Sequence, residues 1–296
     1  MVEADPGALV AEAPPRLVNA MSVDVEDWFQ VGAFERTIRR EDWNGLELRV
    51  ARNTEACLAL FGGAGVHATF FTLGWVAARY PALMRRIADA GHEVASHGWD
   101  HRRVFTMTPA DFRADLARTR AVLEDASGVR VTGFRAPSFS IDARTPWAHA
   151  VLAEEGYAYS SSVAPVRHDH YGQPDAPRFA HHPLADADLI ELPPTVARVF
   201  GRNVPTGGGF FRMLPNAFSD WAMHQVTKVE ARPAVFYFHP WEVDPEQPRV
   251  ARAPLKSRLR HYSRLSAMAG KLERLVARHA WDRTDRVAAA EAARLP

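Results

Sequence analysis

The sequence predicts an α/β protein built on a mostly parallel sheet, open or closed into a barrel. Three observations carry that reading. Seven apolar runs of strand length recur along the 296 residues, and segments of helical character separate them. Several of the runs are near-continuously apolar rather than alternating, as expected of strands covered on both faces. A strand-then-helix rhythm of this kind makes sequential strands parallel neighbours.

Taken in order, residues 1–16 read as a flexible leader without a basic n-region or a continuous apolar h-region. No secretory signal is therefore expected, and the expected location is the cytoplasm. The strands are "RLVNAMSVD" (16–24), "GVHATFF" (65–71), "HEVAS" (92–96), "VRVTGFR" (129–135), "YAYSSS" (157–162), "DLIELP" (188–193) and "PAVFYFH" (233–239). Between them, "YPALMRRIADAGH" is helical, with Pro81 in the first turn and Gly91 as the stop. In "TMTPADFRADLARTRAVLEDASG", Thr108 is the N-cap, Pro109 follows at N1, and Phe112, Leu116 and Leu123 share a face before Gly128. "DARTPWAHAVLAEEG" and "PNAFSDWAMHQVTKVEA" are further helical segments.

Residues 163–187 and 197–213 break the rhythm; rich in Pro, Gly, His and aromatics, they are expected to be long loops that meet substrate. From Pro254 the tail reads as amphipathic helix rich in Arg and Lys, packing on the domain. Contact with an acidic partner or a membrane surface is its other reading. No run approaches the roughly eighteen apolar residues of a membrane helix.

Composition excludes several functions. With 36 Lys and Arg against 35 Asp and Glu, the formal net charge is +1, so whole-chain electrostatics give no nucleic-acid signal. The single cysteine, Cys57, permits no internal disulfide, and its apolar helical setting marks a buried structural thiol. "TGGGFFR" lacks the Lys-Ser/Thr that a phosphate-binding loop requires, which removes nucleotide binding.

The chemistry concentrates at strand ends. "SVDVEDWFQ" places Asp24, Glu26 and Asp27 directly after an apolar run, where their mutual repulsion calls for a cation. Residues two apart on a strand share a face, so Asp24 and Glu26 form the inward pair and Asp27 points away unless the chain has already turned. "HGWDH" adds His97 and His101 after a second strand, Arg135 closes a third, and His239 closes a seventh. In barrels and doubly wound sheets that end of the strands carries the site. Two histidines and a carboxylate suit Zn²⁺, Fe²⁺, Co²⁺ or a similar ion with open positions left over, and the other carboxylate is then available as a base. Trp28 and Phe29 belong with the core. The loop aromatics Trp99, Phe210, Phe211 and Trp241 are the candidates for stacking on sugar rings.

"VDVED", "SHGWDH", "FRAPSFS" and "FYFHPWE", in this order, resemble the polysaccharide deacetylases of carbohydrate esterase family four over residues 17–245. The pattern "DVEDWFQ…GGGFFR…FYFHPWEVDPEQPR…RHY" further resembles a bacterial subgroup found with exopolysaccharide and exosortase-type loci. The resemblance implies a distorted (β/α)7 barrel over 17–245; with the long loops and amphipathic tail read above, the expectation is a single domain followed by a helical extension over 246–296. It implies removal of N-acetyl groups from an N-acetylated glycan, an exopolysaccharide precursor by the subgroup, in association with a polysaccharide-assembly system. By the same resemblance Asp24 is the base, Arg135 orients it, His239 is the acid, and Pro137 and Phe139 shape the groove. His97 and His101 hold a divalent metal, zinc first, with Co²⁺, Fe²⁺, Mn²⁺ and Ni²⁺ as substitutes. The metal carboxylate is Glu26 or Asp27, because the family's adjacent aspartates are replaced here by Asp-Val-Glu-Asp. Ser160 stands where related chains carry an aspartate. Two other readings stay open at this point: a same-fold hydrolase of O-acetyl esters or cyclic amides and imides, and a catalytically silent glycan-binding subunit.

Overall fold

The computed structural model describes residues 17–168 and 171–295; the leader expected over 1–16 lies outside them. All seven expected strands form: β1 (Val18–Val25), β2 (Thr69–Thr72), β3 (Glu93–Ser96), β4 (Gly133–Phe134), β5 (Tyr159–Ser160), β6 (Ile190–Glu191) and, after a hairpin of β7 (Val196–Val199) and β8 (Arg202–Pro205), β9 (Val235–Phe238). An eighth member of the sheet, β10 (Ala280–Asp282), comes from the C-terminal tail. Every ladder in this sheet is parallel.

β1 is the axis of the arrangement. One edge pairs with β9 through Ala20–Val23. The other edge is shared, its first half paired with β10 through Val18–Ala20 and its second half with β2 through Ser22–Val25. From β2 the order runs β3, β4, β5, β6. The sheet curls until Thr195, four residues past β6, donates its N–H to the Val235 carbonyl of β9 at 3.0 Å. The result is the distorted (β/α)7 barrel expected from the resemblance.

Side chains alternate along the strands as pleating requires. Met21, Val23, Val25, Phe70 and Val94 enter the larger core, beneath the helices. Ala20, Phe71, Ala95 and Tyr159 form a second cluster, which Val287 and Ala288 of the last helix join. The helices are α1 (Val50–Ala64), α2 (Gly74–Arg79), α3 (Pro81–Asp89), α4 (Pro109–Ser127), α5 (Ala148–Glu154), α6 (Gly208–Met213), α7 (Asn216–His224), α8 (Leu255–Tyr262), α9 (Leu265–Arg278) and α10 (Thr284–Ala292). α4 starts where its signals place it, with a capping box in which Thr108 Oγ1 accepts from the Asp111 amide at 3.1 Å and Asp111 accepts from the Thr108 amide at 3.2 Å. It stops at Gly128, whose φ of 72° is left-handed. Cys57 is buried in α1, as expected.

Two stretches depart from the sequence reading. Residues 197–213, expected as loop, contain most of the β7–β8 hairpin and α6. Phe200 and Gly201 turn the hairpin with φ of 47° and 76°, the two positive values of a type I′ turn, but a phenylalanine at the first position disguises it. The tail is not one amphipathic helix. It is three helices interrupted by β10, so the extension is part of the sheet as well as packed against it.

Candidate active site

Register delivers the polar residues to one level. Thr72, Ser96, Phe134, Ser160 and Glu191 form one row across the ladders from β2 to β6. One position further on stand His97, Arg135 and Ser161. Val23 pairs with Phe238, so the next residues, Asp24 and His239, emerge together. All five therefore meet at the C-terminal mouth of the barrel.

Arg135 ties them together and is fully buried. Its Nη1 donates to Asp24 Oδ1 at 2.7 Å and to Ser22 Oγ at 2.8 Å, while Nη2 donates to Ser161 Oγ at 2.9 Å and Nε to the Ser161 carbonyl at 3.2 Å. Phe71 lies beneath the guanidinium, its ring centre 4.1 Å away. Removing either member of a buried pair like Asp24–Arg135 costs about 3–5 kcal/mol, because the survivor keeps an uncompensated charge.

The Arg135 backbone serves the neighbouring cluster. Its carbonyl is 2.8 Å from His97 Nδ1. A carbonyl only accepts, so Nδ1 carries the proton and Nε2 presents its lone pair. Burial pushes the His97 pKa down to about 4, which keeps the ring neutral. Among the described residues, Glu26, His97 and His101 can each point one ligand atom into a space in which those atoms lie within 4.8 Å of one another. All three are buried.

The donor set fits a divalent metal on a further observation. Glu26 Oε2 approaches His101 Nε2 to 2.9 Å, yet this buried oxygen has no properly angled hydrogen-bond donor. A buried carboxylate oxygen left without a donor, facing two imidazoles across a closed space, is what a cation between them would satisfy. Burial alone would raise the Glu26 pKa, but His101, His239 and His97 hold it down at about 2.

Asp27 does not join this cluster. Its carboxylate accepts from the amides of Trp28 at 2.9 Å, Arg49 at 2.8 Å and Val50 at 3.0 Å, fastening the start of α1. The two-residue alternation continues past the end of β1, so Glu26 faces inward with Asp24 and Asp27 faces the helix. The expectation that Asp27 is an alternative ligand is corrected on that ground.

On the far side of the cluster, His239 Nε2 is 3.6 Å from Glu26 Oε1, and His239 Nδ1 is 2.8 Å from Glu242 Oε1. Glu242 is anchored in turn by buried Arg212, whose Nη1 donates to Oε2 at 2.9 Å. Burial works against a charged imidazole here. The hydrogen bond to Glu242 and the charges of Glu26, Glu242 and Asp24 outweigh it and raise the His239 pKa to about 9.

Comparison with known proteins matches residues 44–159 to the family described as polysaccharide deacetylase, and residues 161–289 to a domain of unknown function, DUF3473. Residues 44–159, less than half of the chain, are thus similar to the polysaccharide deacetylases. A peptidoglycan deacetylase of Helicobacter pylori is 30% identical over 106 residues, 36% of this chain and 35% of that protein. Chitin deacetylase 1 of Cryptococcus neoformans is 31% identical over 91 residues, 31% of this chain and 19% of that protein. The chain thus spans about a third or less of these curated relatives. Among solved structures, a Mycobacterium smegmatis protein assigned to the polysaccharide deacetylases superposes with a TM-score of 0.63 at 21% identity, covering 99% of this chain and 97% of that one. The PuuE allantoinase superposes with a TM-score of 0.58 at 15% identity, covering 98% of each chain. At these identities both show the shared fold.

Within the barrel the expected aromatic platforms sort into two groups. Phe210 lines a cavity of about 250 Å³ beside the site, together with Met213, Tyr171 and Tyr237. Phe139 packs edge-on against Tyr237, ring centres 4.8 Å apart, and Pro137 is buried near Gly98. Ser138 and Phe139 hold left-handed backbone, φ 54° and 49°, a strained turn at the rim of the site. The other three expected platforms are engaged in packing, Phe211 and Trp241 buried and Trp99 half-buried. Trp99 is packed against Gly74 and covered by the Arg118 guanidinium at 3.3 Å. Phe211 is buried edge-on against Phe236 at 4.8 Å. Trp241 is sandwiched between His239 at 5.1 Å and His261 at 4.1 Å, its indole N–H donating to Glu26 at 3.3 Å.

Sequence reading missed Tyr237, Glu242, Arg212 and His261. Tyr237 was within reach, since it stands two residues before His239 and shares its face. Glu242 sits three residues after His239, the spacing at which a turn's first side chain is reached from its end. Arg212 and His261 stand in the quoted "GGGFFR" and "RHY" stretches, but nothing local shows that they reach Glu242 and Trp241 from distant segments.

Proposed function

We propose that this chain is a metal-dependent amide hydrolase that releases acetate from an N-acetylated oligo- or polysaccharide. One observation carries the reading: a Glu26, His97, His101 ligand set lies between a carboxylate fixed by arginine and a cationic imidazole, beside a cavity lined with aromatic rings. A divalent ion held by those three residues would supply Lewis acidity to the amide carbonyl and to the attacking water.

The chain's own groups supply the rest. Asp24, fixed in position by Arg135, takes a proton from the water as it attacks the acetyl carbon. His239 begins protonated at neutral pH, with Glu242 holding Nδ1 and so directing the Nε2 proton toward the site. It gives that proton to the amide nitrogen as the C–N bond breaks, since an unprotonated amine leaves poorly. Acetate and a free amino sugar result. The relatives named for peptidoglycan and chitin support a glycan substrate, and the sequence pattern "DVEDWFQ…RHY" supports an exopolysaccharide precursor.

Acetate release from N-acetylglucosamine oligomers, measured after chelation and again with zinc or cobalt restored, tests the reading. Asp24→Asn should lower kcat about 10²–10⁴-fold while metal content stays unchanged. His97→Ala should lose the metal. Release of acetate only from O-acetyl esters, or turnover of cyclic amides alone, would redirect the assignment to those substrates. No turnover of any of them with metal bound would make the chain a glycan-binding subunit.

A further inference from the structure

Helix α8 has a face that neither the core nor the catalytic site uses. His261 of this helix is buried against Trp241, and Ser257 and Arg260 line the cavity beside Tyr237, which fixes the inward side. On the outward side Leu255 and Leu259, one turn apart, are 68% and 59% exposed. Arg258 flanks them and is exposed, as are Arg252 and Arg264 at the two ends of the helix, while Lys256 lines the cavity with Ser257 and Arg260. From Gln247 to Leu272 the chain contains no Asp or Glu at all.

Isolated exposed leucines are ordinary on a protein surface. A pair stacked on one face, with Arg252, Arg258 and Arg264 exposed around it over a segment free of carboxylates, is a different pattern. It is the pattern of a helix lying in the plane of an anionic bilayer, with leucines among the acyl chains and Lys and Arg reaching up to the phosphates. An anionic glycan would engage the cations but offers nothing apolar to the leucines. We propose that α8 docks this protein on an anionic lipid surface, with the cavity that Ser257 and Arg260 line held at headgroup level. Among the described residues no helix is long and apolar enough to cross a membrane, so the contact is peripheral and reversible.

Co-sedimentation of the full chain with vesicles tests this without any need for turnover, so its outcome is independent of the proposed activity. Vesicles of phosphatidylcholine containing about one-third phosphatidylglycerol should bind the protein, and phosphatidylcholine alone should bind it at least about tenfold less. Raising salt from about 0.1 M to about 1 M should weaken binding by a similar factor. The double variant Leu255→Asp, Leu259→Asp should lose about tenfold or more in affinity while melting at the wild-type temperature. Phe200→Ser removes the most exposed aromatic ring, at the β7–β8 turn, and should leave binding unchanged. Absence of binding to anionic vesicles at low salt would overturn the proposal, as would equal binding by the double variant. Self-association that the double variant abolishes, without vesicle binding, would instead assign the face to a second copy of the chain.

Discussion

Adjacent carboxylates have opposite duties here. Glu26 turns into the cluster of histidines, and Asp27 turns outward and holds three backbone amides at the entry to α1. Alternation of side chains at the end of a strand is enough to separate them. Glu26→Ala should lower metal affinity by more than about 100-fold, beyond what losing an outer partner of a ligand costs. Asp27→Ala should leave metal content unchanged but lower unfolding free energy by about 2 kcal/mol, since buried amides lose their acceptor. Elemental analysis and urea unfolding of the two variants separate these outcomes. The same logic explains why the carboxylate that faces the histidines could not be chosen from residue types alone. Both neighbours are acidic, both are buried, and only the direction of each side chain differs.

At the scale of elements, β3 shows how a turn fixes a titrating group. Gly91, at a φ of 81°, ends α3, and His92 follows with its Nδ1 accepting from the Ala68 amide at 3.1 Å. An accepting Nδ1 requires a neutral ring, and burial lowers the His92 pKa to about 4 from 6.5. The unfolded chain then binds the proton more readily than the native one. Stability contributed by neutral His92 is present above about pH 6.5 and is lost as pH falls toward about 4. His92→Gln, which can still accept from Ala68, should flatten that part of the pH dependence in denaturant melts recorded between these limits. The strands and caps of this region were legible because apolar runs, Pro81, Gly91, Thr108 and Gly128 act locally. The β7–β8 hairpin was not, because Phe200 occupies a left-handed position that sequence rules reserve for Asn or Gly.

At the scale of the molecule, the C-terminal extension is structural on two fronts. β10 pairs with the first half of β1, and Val287 and Ala288 of α10 join the second core cluster beside Ala20 and Tyr159. Thr284 donates its amide to Thr69 Oγ1 at 2.7 Å, and Arg232 pairs with Glu291 at 3.0 Å. α8 meanwhile presses His261 against Trp241, behind His239. Ending the chain after Arg278 should therefore abolish the cooperative thermal transition seen by circular dichroism. A truncated chain that melts like the full one would show α10 and β10 to be dispensable. Periodicity showed an amphipathic tail but not a strand of three residues, which is too short to leave a pattern.

By itself, the sequence determined the seven-strand rhythm, the end of the strands that would carry chemistry, and the set from which Asp24, His97, His101, Arg135 and His239 were drawn. These are properties of local pattern and residue type. Only the tertiary structure decided that Glu26 rather than Asp27 faces the histidines, that Glu242 and Arg212 stand behind His239, and that Trp99, Phe211 and Trp241 are occupied by packing. Those outcomes depend on ladder register and on groups that approach from far along the chain, and neither leaves a mark on the neighbouring residues.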